Sequence, residues 1–561
     1  MTSDERPVSP VEDLAERFWE GILELNPTTA TFYGDDRYAD RLEDPGPDGR
    51  ARARALMERT AADARAITED GLSTEDRITR DMLLVIAELE IEQDDQAMHQ
   101  LQVVDQMSGP QQTLPQLTQF QPVDTPERLE AFLARLHAYP AFMAANTQNL
   151  LDGLASGLTA PRAVAERTIA QIERMLEVPI EAAIVPSMAK VASEADRERI
   201  RDAVREHIYP ADAAFLEALK GDYLAATRTD PGLWSAPNGE QLYRTLIRRW
   251  TTLDLDPVAV HRTGLDELDR IEAERRAIAR AAGFGDDAAA YRAAQAADPA
   301  NIPTSKEALV ARAADDIERA MAAAPGYFGT LPRARCEVRP VEPYKEKDAP
   351  FAYYYPPAPD GSRPGIYYAN SYDLPSRKYS MLATTTYHEA APGHHFQISL
   401  ELENPNLGRF RRMGARMVGG AYVEGWGLYS ERLADEMGLF RDDGERFGML
   451  DAQAWRAARL VVDTGLHALR WPRQRSIDFL RIAGLTDTDA VIETDRYISW
   501  PGQALTYMTG QIEIRRLRAE LATRDGSAFD LRAFHDALLG HGSLPLATLT
   551  RELPNWLATP V

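Results

Sequence analysis

The stretch HEAAPGHH, residues 388–395, indicates the chemistry that we expect of this chain. The chain has ten histidines, and three of them, His388, His394 and His395, fall within these eight positions. Glu389 directly follows the first. Zinc is held by neutral imidazoles, and a nearby carboxylate can take a proton from water that the metal activates. The stretch therefore predicts the metal site of a zinc hydrolase.

The spacing of these histidines differs from the familiar H-E-x-x-H motif, in which two ligands four residues apart share one helix face. The fourth position here is Pro392, which cannot donate a hydrogen bond to the carbonyl of His388. Pro392 and Gly393 therefore predict a break or bulge in the helix, after which His394 becomes the second ligand. In an unbroken helix His395, seven residues on, would return to the face of His388. We favour His394 and keep His395 as the alternative.

A third ligand is expected on a neighbouring helix. Glu424 and Glu431 are seven residues apart and so share a helical face. Apolar side chains surround them in the sequence: Val423, Trp426, Leu428 and Leu433. Two carboxylates in an apolar environment need a partner, and a metal ion is one. We predict Glu424 as the third ligand.

Two further side chains could take part in catalysis. Tyr507 lies on a predicted helix that follows a Pro-Gly turn, and a phenol can donate to an oxyanion. Asp463 and His467 are one helical turn apart, and a carboxylate can fix the tautomer of a histidine. We expect Tyr507, with His467 as a second candidate, to stabilise negative charge on the substrate.

Most of the chain has the three-and-four spacing of apolar residues that is typical of amphipathic helices, beginning with residues 11–25. Proline and tyrosine cluster between about 324 and 375, where residues 351–355 and 365–368 predict a β-hairpin around the turn at 359–361. We expect a mainly α fold with this small β element beside the zinc helix. The predicted organisation is an N-terminal helical region, 1–323, and a catalytic region, 324–561, within one continuous structural unit.

Composition excludes several other classes of protein. The 87 acidic and 63 basic residues give a formal net charge of −24, which disfavours binding to nucleic acid or to an anionic membrane surface. Cys336 is the one cysteine, so no intrachain disulfide can form. The first residues lack an apolar signal-peptide core, and no run of about 18 apolar residues predicts a transmembrane helix. Phosphate-binding loops and a Gly-x-Ser-x-Gly nucleophile elbow are also absent from the sequence. We expect a cytoplasmic protein.

At these motifs the sequence resembles the bacterial domain-of-unknown-function family 885, whose members are predicted zinc metallopeptidases. The resemblance is carried by YHEAAPGHHFQ at 387–397 and is reinforced at 424–431 and at 501–510. The hairpin at 359–370 and the N-terminal stretch at 26–38 also look like that family. The resemblance covers nearly the whole chain, and the histidine motif is highly specific.

The resemblance implies a helical, gluzincin-like body with a deep cleft, similar in plan to helical oligopeptidases and dipeptidyl carboxypeptidases. This chain has two more residues between its histidines than the H-E-x-x-H of those enzymes.

We therefore expect a Zn²⁺-dependent hydrolase that cleaves peptide or amide bonds of short peptides, of the oligopeptidase or carboxypeptidase type. His388, His394 and Glu424 would hold the metal, and Glu389 would act as the general base. The edge of the hairpin would bind an extended peptide through backbone hydrogen bonds. Two alternatives stay open: a catalytically inactive protein that binds metal or peptides, and a specialised amidohydrolase that acts on small molecules.

Overall fold

The computed structural model describes residues 9–180, 191, 193–342, 346–347, 349–358, 361, 363–414, 417–418 and 420–558. The chain divides into two compact units. The first unit comprises Met1–Thr245, Leu466–Gln474 and Val491–Pro501, and the second comprises Leu246–Gly465, Arg475–Ala490 and Gly502–Val561. The boundary predicted at residue 324 lies inside the second unit, which contains both the β element and the HEAAPGHH stretch.

Helices dominate the described chain. The α-helices up to residue 226 are α1 Pro10–Leu25, α2 Pro27–Phe32, α3 Pro47–Ala66, α4 Thr74–Asp95, α5 Met98–Gln102, α6 Thr113–Phe120, α7 Pro126–Ser156, α8 Arg162–Glu177, α9 Glu194–Ala203, α10 Tyr209–Ala218 and α11 Leu224–Ala226. Those that follow are α12 Gly239–Thr251, α13 Pro257–Ala281, α14 Ala288–Ala297, α15 Lys306–Ala323, α16 Tyr379–Glu389, α17 His394–Glu403, α18 Gly420–Glu436, α19 Asp443–His467, α20 Arg473–Ala483, α21 Asp487–Ser499, α22 Thr506–Asp525, α23 Leu531–Gly540 and α24 Leu546–Ala558.

Shorter helical segments connect these elements. Single 3₁₀ turns are Asp36–Tyr38, Pro110–Gln112, Leu233–Ser235, Pro299–Asn301, Ala324–Gly326, Leu374–Ser376, Gln503–Leu505 and Gly526–Ala528. One-turn π-helices are Val204–Ile208, Leu219–Tyr223 and Phe410–Gly414. The mainly α fold predicted from the spacing of apolar residues is confirmed.

Helix α1 shows how the sequence sets these elements. Ser9 and Glu12 form a capping box, in which the Ser9 hydroxyl accepts from the Glu12 N–H and the Glu12 carboxylate accepts from the Ser9 N–H. Its buried face is the apolar stripe seen in the sequence: Val11, Leu14, Phe18, Trp19 and Ile22. Pro27 cannot continue the ladder, so α1 ends at Leu25, as Asn26-Pro27 predicts.

The β element is a three-stranded sheet in the order β1-β3-β2, formed by β1 Cys336–Pro340, β2 Ala352–Tyr355 and β3 Gly365–Ala369. Strands β2 and β3 are antiparallel, with Tyr353 opposite Tyr368, which confirms the predicted hairpin. Pro359 and Asp360 of its predicted turn lie outside the described residues. Strand β1 runs parallel to β3 and was not predicted. Since β3 is central, β2 is an edge strand.

A membrane-spanning helix is not found among the residues that the structure describes, because none of their helices combines the necessary length and apolar character.

Candidate metal centre

The HEAAPGHH stretch is broken into two helices. Helix α16 ends at Glu389 and α17 begins at His394, so the break predicted at Pro392 and Gly393 is present. At Gly393 the chain passes so close to the preceding turn that a Cβ atom would lie 1.9 Å from the carbonyl oxygen of His388. Only glycine fits this approach. The break brings the ring of His394 to 4.8 Å from that of His388, centroid to centroid, with the ring planes nearly perpendicular.

Helix α18 supplies the third predicted ligand. Oε2 of Glu424 lies 3.5 Å from Nε2 of His388 and 3.5 Å from Nε2 of His394. One donor atom from each of the three side chains lies within 4.8 Å of the other two. Gly427, one turn after Glu424, leaves room for both rings, because a Cβ there would lie 2.8 Å from Nε2 of His388. The structure thus brings together the three residues that the sequence selected as ligands.

His395, the alternative ligand, lies outside this group. Its Nε2 is 3.0 Å from the carbonyl oxygen of Ala334, and its Nδ1 is 2.8 Å from the hydroxyl of Tyr354 on β2. Burial lowers the pKa of His395 to about 4, so the ring is neutral at pH 7. Both nitrogens are hydrogen-bonded, and the side chain ties α17 to the sheet.

Glu431 holds the ring of His388 from behind. Oε1 of Glu431 is 2.8 Å from Nδ1 of His388, and its Oε2 accepts a hydrogen bond of 3.0 Å from the amide of Gln453. The amide oxygen of Gln453 accepts in turn from Gln511 at 2.6 Å. Such a carboxylate fixes the tautomer of a ligating histidine and leaves the other nitrogen, here Nε2, for a metal.

The charges of the three candidate ligands depend on one another. Burial acts to lower the pKa of His388, but hydrogen bonds to Glu424 and Glu431 outweigh it and raise the pKa to about 9. Burial acts to raise the pKa of Glu424, but hydrogen bonds with His388 and His394 hold that pKa well below its usual range. A metal ion bound here would displace the proton of His388, because a ligating imidazole must be neutral.

Glu389, the predicted base, is half-buried at the end of α16. Burial raises the pKa of its carboxyl group, although the positive charges of His394, His388 and Arg456 oppose that shift. The charges of His388, His394 and Glu424 all act on this carboxylate, so it lies within electrostatic range of the candidate metal centre.

Tyr507 lies on the first turn of α22, and its ring stacks with that of His388 at 6.3 Å between centroids. A close approach of α18 and α22 makes this possible. A Cβ on Gly425 would lie 2.5 Å from the Cα of Gly510, and one on Gly510 would lie 1.8 Å from the carbonyl oxygen of Ala421. The two glycines therefore let the backbones meet, and Tyr507 lies one turn before Gly510.

His467 belongs to the first unit. Its Nδ1 accepts from the backbone N–H of Leu233 at 3.2 Å, and its Nε2 lies 3.0 Å from the carbonyl oxygen of Tyr497. Burial lowers the pKa of His467 to about 3. Asp463, proposed as its partner, accepts from the N–H of Gly502 at 3.0 Å. With both ring nitrogens bonded to backbone, His467 has no N–H left for a substrate oxyanion, and we omit it from the proposal below.

Several residues around the centre were missed by the sequence analysis. The indole N–H of Trp426 reaches the carbonyl oxygens of Pro392 at 3.0 Å and of Gly393 at 3.1 Å, and so holds the turn between the two histidines. The amide of Gln453 donates a hydrogen bond to Glu431. Arg456 is near enough to Glu389 for its positive charge to act on that carboxylate. The sequence carried a signal for Trp426 alone, as part of the EGW motif at 424–426, because α19 reads as an ordinary amphipathic helix.

Comparison with known proteins identifies the family. Residues 27–553 match the family described as "Bacterial protein of unknown function (DUF885)". The chain belongs to the DUF885 family. The resemblance seen at the histidine motif is thereby confirmed, while the activity of the family is not part of that description. Curated proteins give no match.

Two solved structures resemble the DUF885 chain along nearly its whole length. A protein from Colwellia psychrerythraea, described as a "putative lipoprotein", is 28% identical with a TM-score of 0.89, and the match covers 98% of this chain and 100% of that one. A "putative lipoprotein of unknown function" from Shewanella oneidensis is 19% identical with a TM-score of 0.78, covering 97% and 99%. The second likeness shows the fold alone. Our expectation of a cytoplasmic location stays a prediction.

Proposed function

We propose that this DUF885 protein is a zinc-dependent hydrolase that cleaves peptide or amide bonds of short peptides. The observation that carries the proposal is the convergence of His388, His394 and Glu424, whose donor atoms lie within 4.8 Å of one another. Glu389 lies within electrostatic range of these ligands. Two imidazoles and one carboxylate are the protein ligands of a catalytic zinc site that keeps one position open for water or substrate.

The surroundings of the three ligands fit a metal ion. Glu431 engages Nδ1 of His388 and leaves Nε2 facing Glu424, and Gly427 has no side chain to fill the space between the two rings. A bound Zn²⁺ supplies a Lewis acid that polarises a carbonyl group and lowers the pKa of water. His388, His394 and Glu424 would hold it.

The protein's own groups would then move the protons. The carboxylate of Glu389 accepts a proton from the attacking water and passes it to the nitrogen of the leaving amine, which is the work of a general base and then a general acid. The hydroxyl of Tyr507 donates a hydrogen bond to the substrate carbonyl oxygen as negative charge develops there. The stacking of Tyr507 on His388 at 6.3 Å supports this role.

Strand β2 supports recognition of an extended peptide. It is an edge strand, and Tyr354 within it is hydrogen-bonded to His395, the residue next to the ligand His394. A peptide that pairs with this edge through backbone hydrogen bonds would lie close to the metal centre, with little demand on its side chains. The cleft implied by the resemblance remains part of the proposal.

The experiment that tests the proposal joins metal analysis to digestion. We expect about one zinc per chain by elemental analysis, from the ligand set. A peptide library incubated with the zinc-loaded protein should yield products detectable by mass spectrometry. Glu389→Gln keeps the size of the side chain and should keep the zinc, while turnover falls by about two to four orders of magnitude. Zinc in both proteins with no cleavage in either would favour an inactive binding protein, and cleavage confined to non-peptide amides would favour a small-molecule amidohydrolase.

A further inference from the structure

Two arginines of α19 lie beside the candidate metal centre. Arg456 and Arg459 are three residues apart, so they share a face of the helix. The guanidinium carbon of Arg459 lies 4.4 Å from the ring centroid of Tyr507, and that of Arg456 lies 5.9 Å from it. The same ring stacks with the ligand His388.

Arg456 has hydrogen-bonding capacity to spare. Among the residues that the structure describes, its Nε is buried without a hydrogen-bond partner, and its Nη1 makes a long bond of 3.4 Å to the carbonyl oxygen of Ala452 in the preceding turn. A guanidinium carries five N–H donors and can engage a carboxylate through two parallel hydrogen bonds. Among the described residues, no carboxylate accepts a hydrogen bond from the guanidinium of Arg456.

Other arginines of the second unit have such partners. Arg292 makes two hydrogen bonds of 2.9 Å to the carboxylate of Asp451, and Arg432 donates to Glu274 at 2.6 Å. Among the described residues Arg456 has no ion pair of this kind, although the chain carries 87 acidic residues. Arg456 is also half-buried rather than enclosed, which leaves it accessible to a ligand.

We propose that Arg456 binds a carboxylate group of the substrate. This inference deepens the proposed function and rests on it, because it assigns the substrate class: short peptides that carry a carboxylate close to the bond that is cut. The carboxylate is either the free C-terminus, which makes the enzyme a carboxypeptidase, or an acidic side chain. The overall charge of −24 repels anions at long range, and Arg456 supplies a positive charge at this point of the surface.

The test measures binding separately from turnover. The full-length protein carrying Glu389→Gln, loaded with zinc, is titrated by calorimetry with three probes: acetyl-tetraalanine as the free acid, the same peptide as the C-terminal amide, and the amide with glutamate as its third residue. We expect the acid to bind about 10- to 100-fold more tightly than the amide, as a charge-assisted hydrogen bond implies. Tight binding of the glutamate-containing amide would assign the site to a side-chain carboxylate, and weak binding would assign it to the C-terminus.

Variants at Arg456 decide where the carboxylate is held. Arg456→Gln should abolish the preference for the acid, and Arg456→Lys should restore part of it. The matched control is Arg446→Gln on the same helix, since Arg446 is exposed and already paired with Asp435 at 2.8 Å, and it should keep the full preference. Equal thermal unfolding midpoints would confirm that the variants are folded.

The outcomes separate this inference from the proposed function. Equal affinity for both forms, no binding of any probe, or an acid preference that survives Arg456→Gln would each overturn it. The last result would mean that the carboxylate binds elsewhere, for example to the metal. An acid preference that depends on Arg456, in a protein that hydrolyses no peptide when Glu389 is intact, would support the carboxylate site and defeat the proposed function. Hydrolysis of peptides with equal affinity for the acid and the amide would support the proposed function and overturn the carboxylate site.

Discussion

Nδ1 of His388 lies 2.8 Å from Oε1 of Glu431, while Nε2 of the same ring lies 3.5 Å from Oε2 of Glu424. One helix, α18, therefore contacts both nitrogens of a single imidazole with two carboxylates seven residues apart. A spacing of seven residues, about two turns of helix, places both carboxylates on the same face of α18. In the proposed centre Glu424 is a ligand and Glu431 is the residue that orients the ring.

Glu431→Gln should weaken zinc binding without removing it. The amide keeps the size of the side chain and can still accept a hydrogen bond from His388, but it loses the negative charge that strengthens the bond. Outer carboxylates of this kind typically contribute about 10- to 100-fold to metal affinity. Competition with a chelator would measure the dissociation constant. An affinity equal to that of the unchanged protein would show that Glu431 has no part in the centre.

Separate replacement of His394 and His395 should distinguish ligand from neighbour. His394→Ala removes one of the three converging donors, so we expect the zinc content to fall to a small fraction of one per chain. His395→Ala should retain zinc, since both of its ring nitrogens are bonded to Ala334 and Tyr354 instead. It should lower the unfolding midpoint, because it leaves buried polar groups without partners. Loss of zinc in His395→Ala with retention in His394→Ala would reverse our assignment.

Trp426→Phe tests the turn that separates the two histidines. The indole N–H donates to the carbonyls of Pro392 and Gly393, so its loss should loosen the position of His394 and weaken zinc binding by about 3- to 10-fold, the equivalent of one lost hydrogen bond. Trp19→Phe is the matched control: its buried indole N–H has no partner among the described residues. A purely structural role for Trp426 would lower the unfolding midpoint and leave the zinc dissociation constant unchanged.

The sequence predicted the parts of this site that depend on local rules. Proline at the fourth position of a helical motif forces a break, and the structure has α16 end at Glu389 and α17 begin at His394. The period of an α-helix placed Glu424 and Glu431 on one face. The hairpin of β2 and β3 followed from aromatic runs on both sides of a turn.

Long-range contacts were beyond such rules. Each residue of strand β1 pairs with a residue of β3 that lies 29 positions later in the chain. Its sequence, CEVRP, alternates apolar and polar residues but covers only five positions, and no tight turn joins it to its partner strand. Arg456 and Gln453 lie on α19, and nothing in their spacing indicates that this helix packs beside Tyr507 and Glu431. The ring of His395 is hydrogen-bonded to Tyr354, which lies 41 residues earlier in the chain. Because the sequence does not show this contact, His395 stayed a candidate ligand.

Recognition of the substrate by the edge of β2 can be tested with modified peptides. If an extended peptide pairs with the edge of β2, its backbone N–H groups should donate to that strand, and their removal should cost affinity. Methylation of one such peptide nitrogen should raise KM by about 2- to 10-fold, the value of a single backbone hydrogen bond. Methylation of the neighbouring nitrogen is the control and should leave KM unchanged, because its N–H points to the other side of the strand. Folded proteins cannot offer a free extended segment, so we expect oligopeptides to be hydrolysed and a native globular protein to remain intact, as followed by mass spectrometry and gel electrophoresis. Rapid digestion of the folded protein, with short peptides left intact, would rule out recognition by the β2 edge.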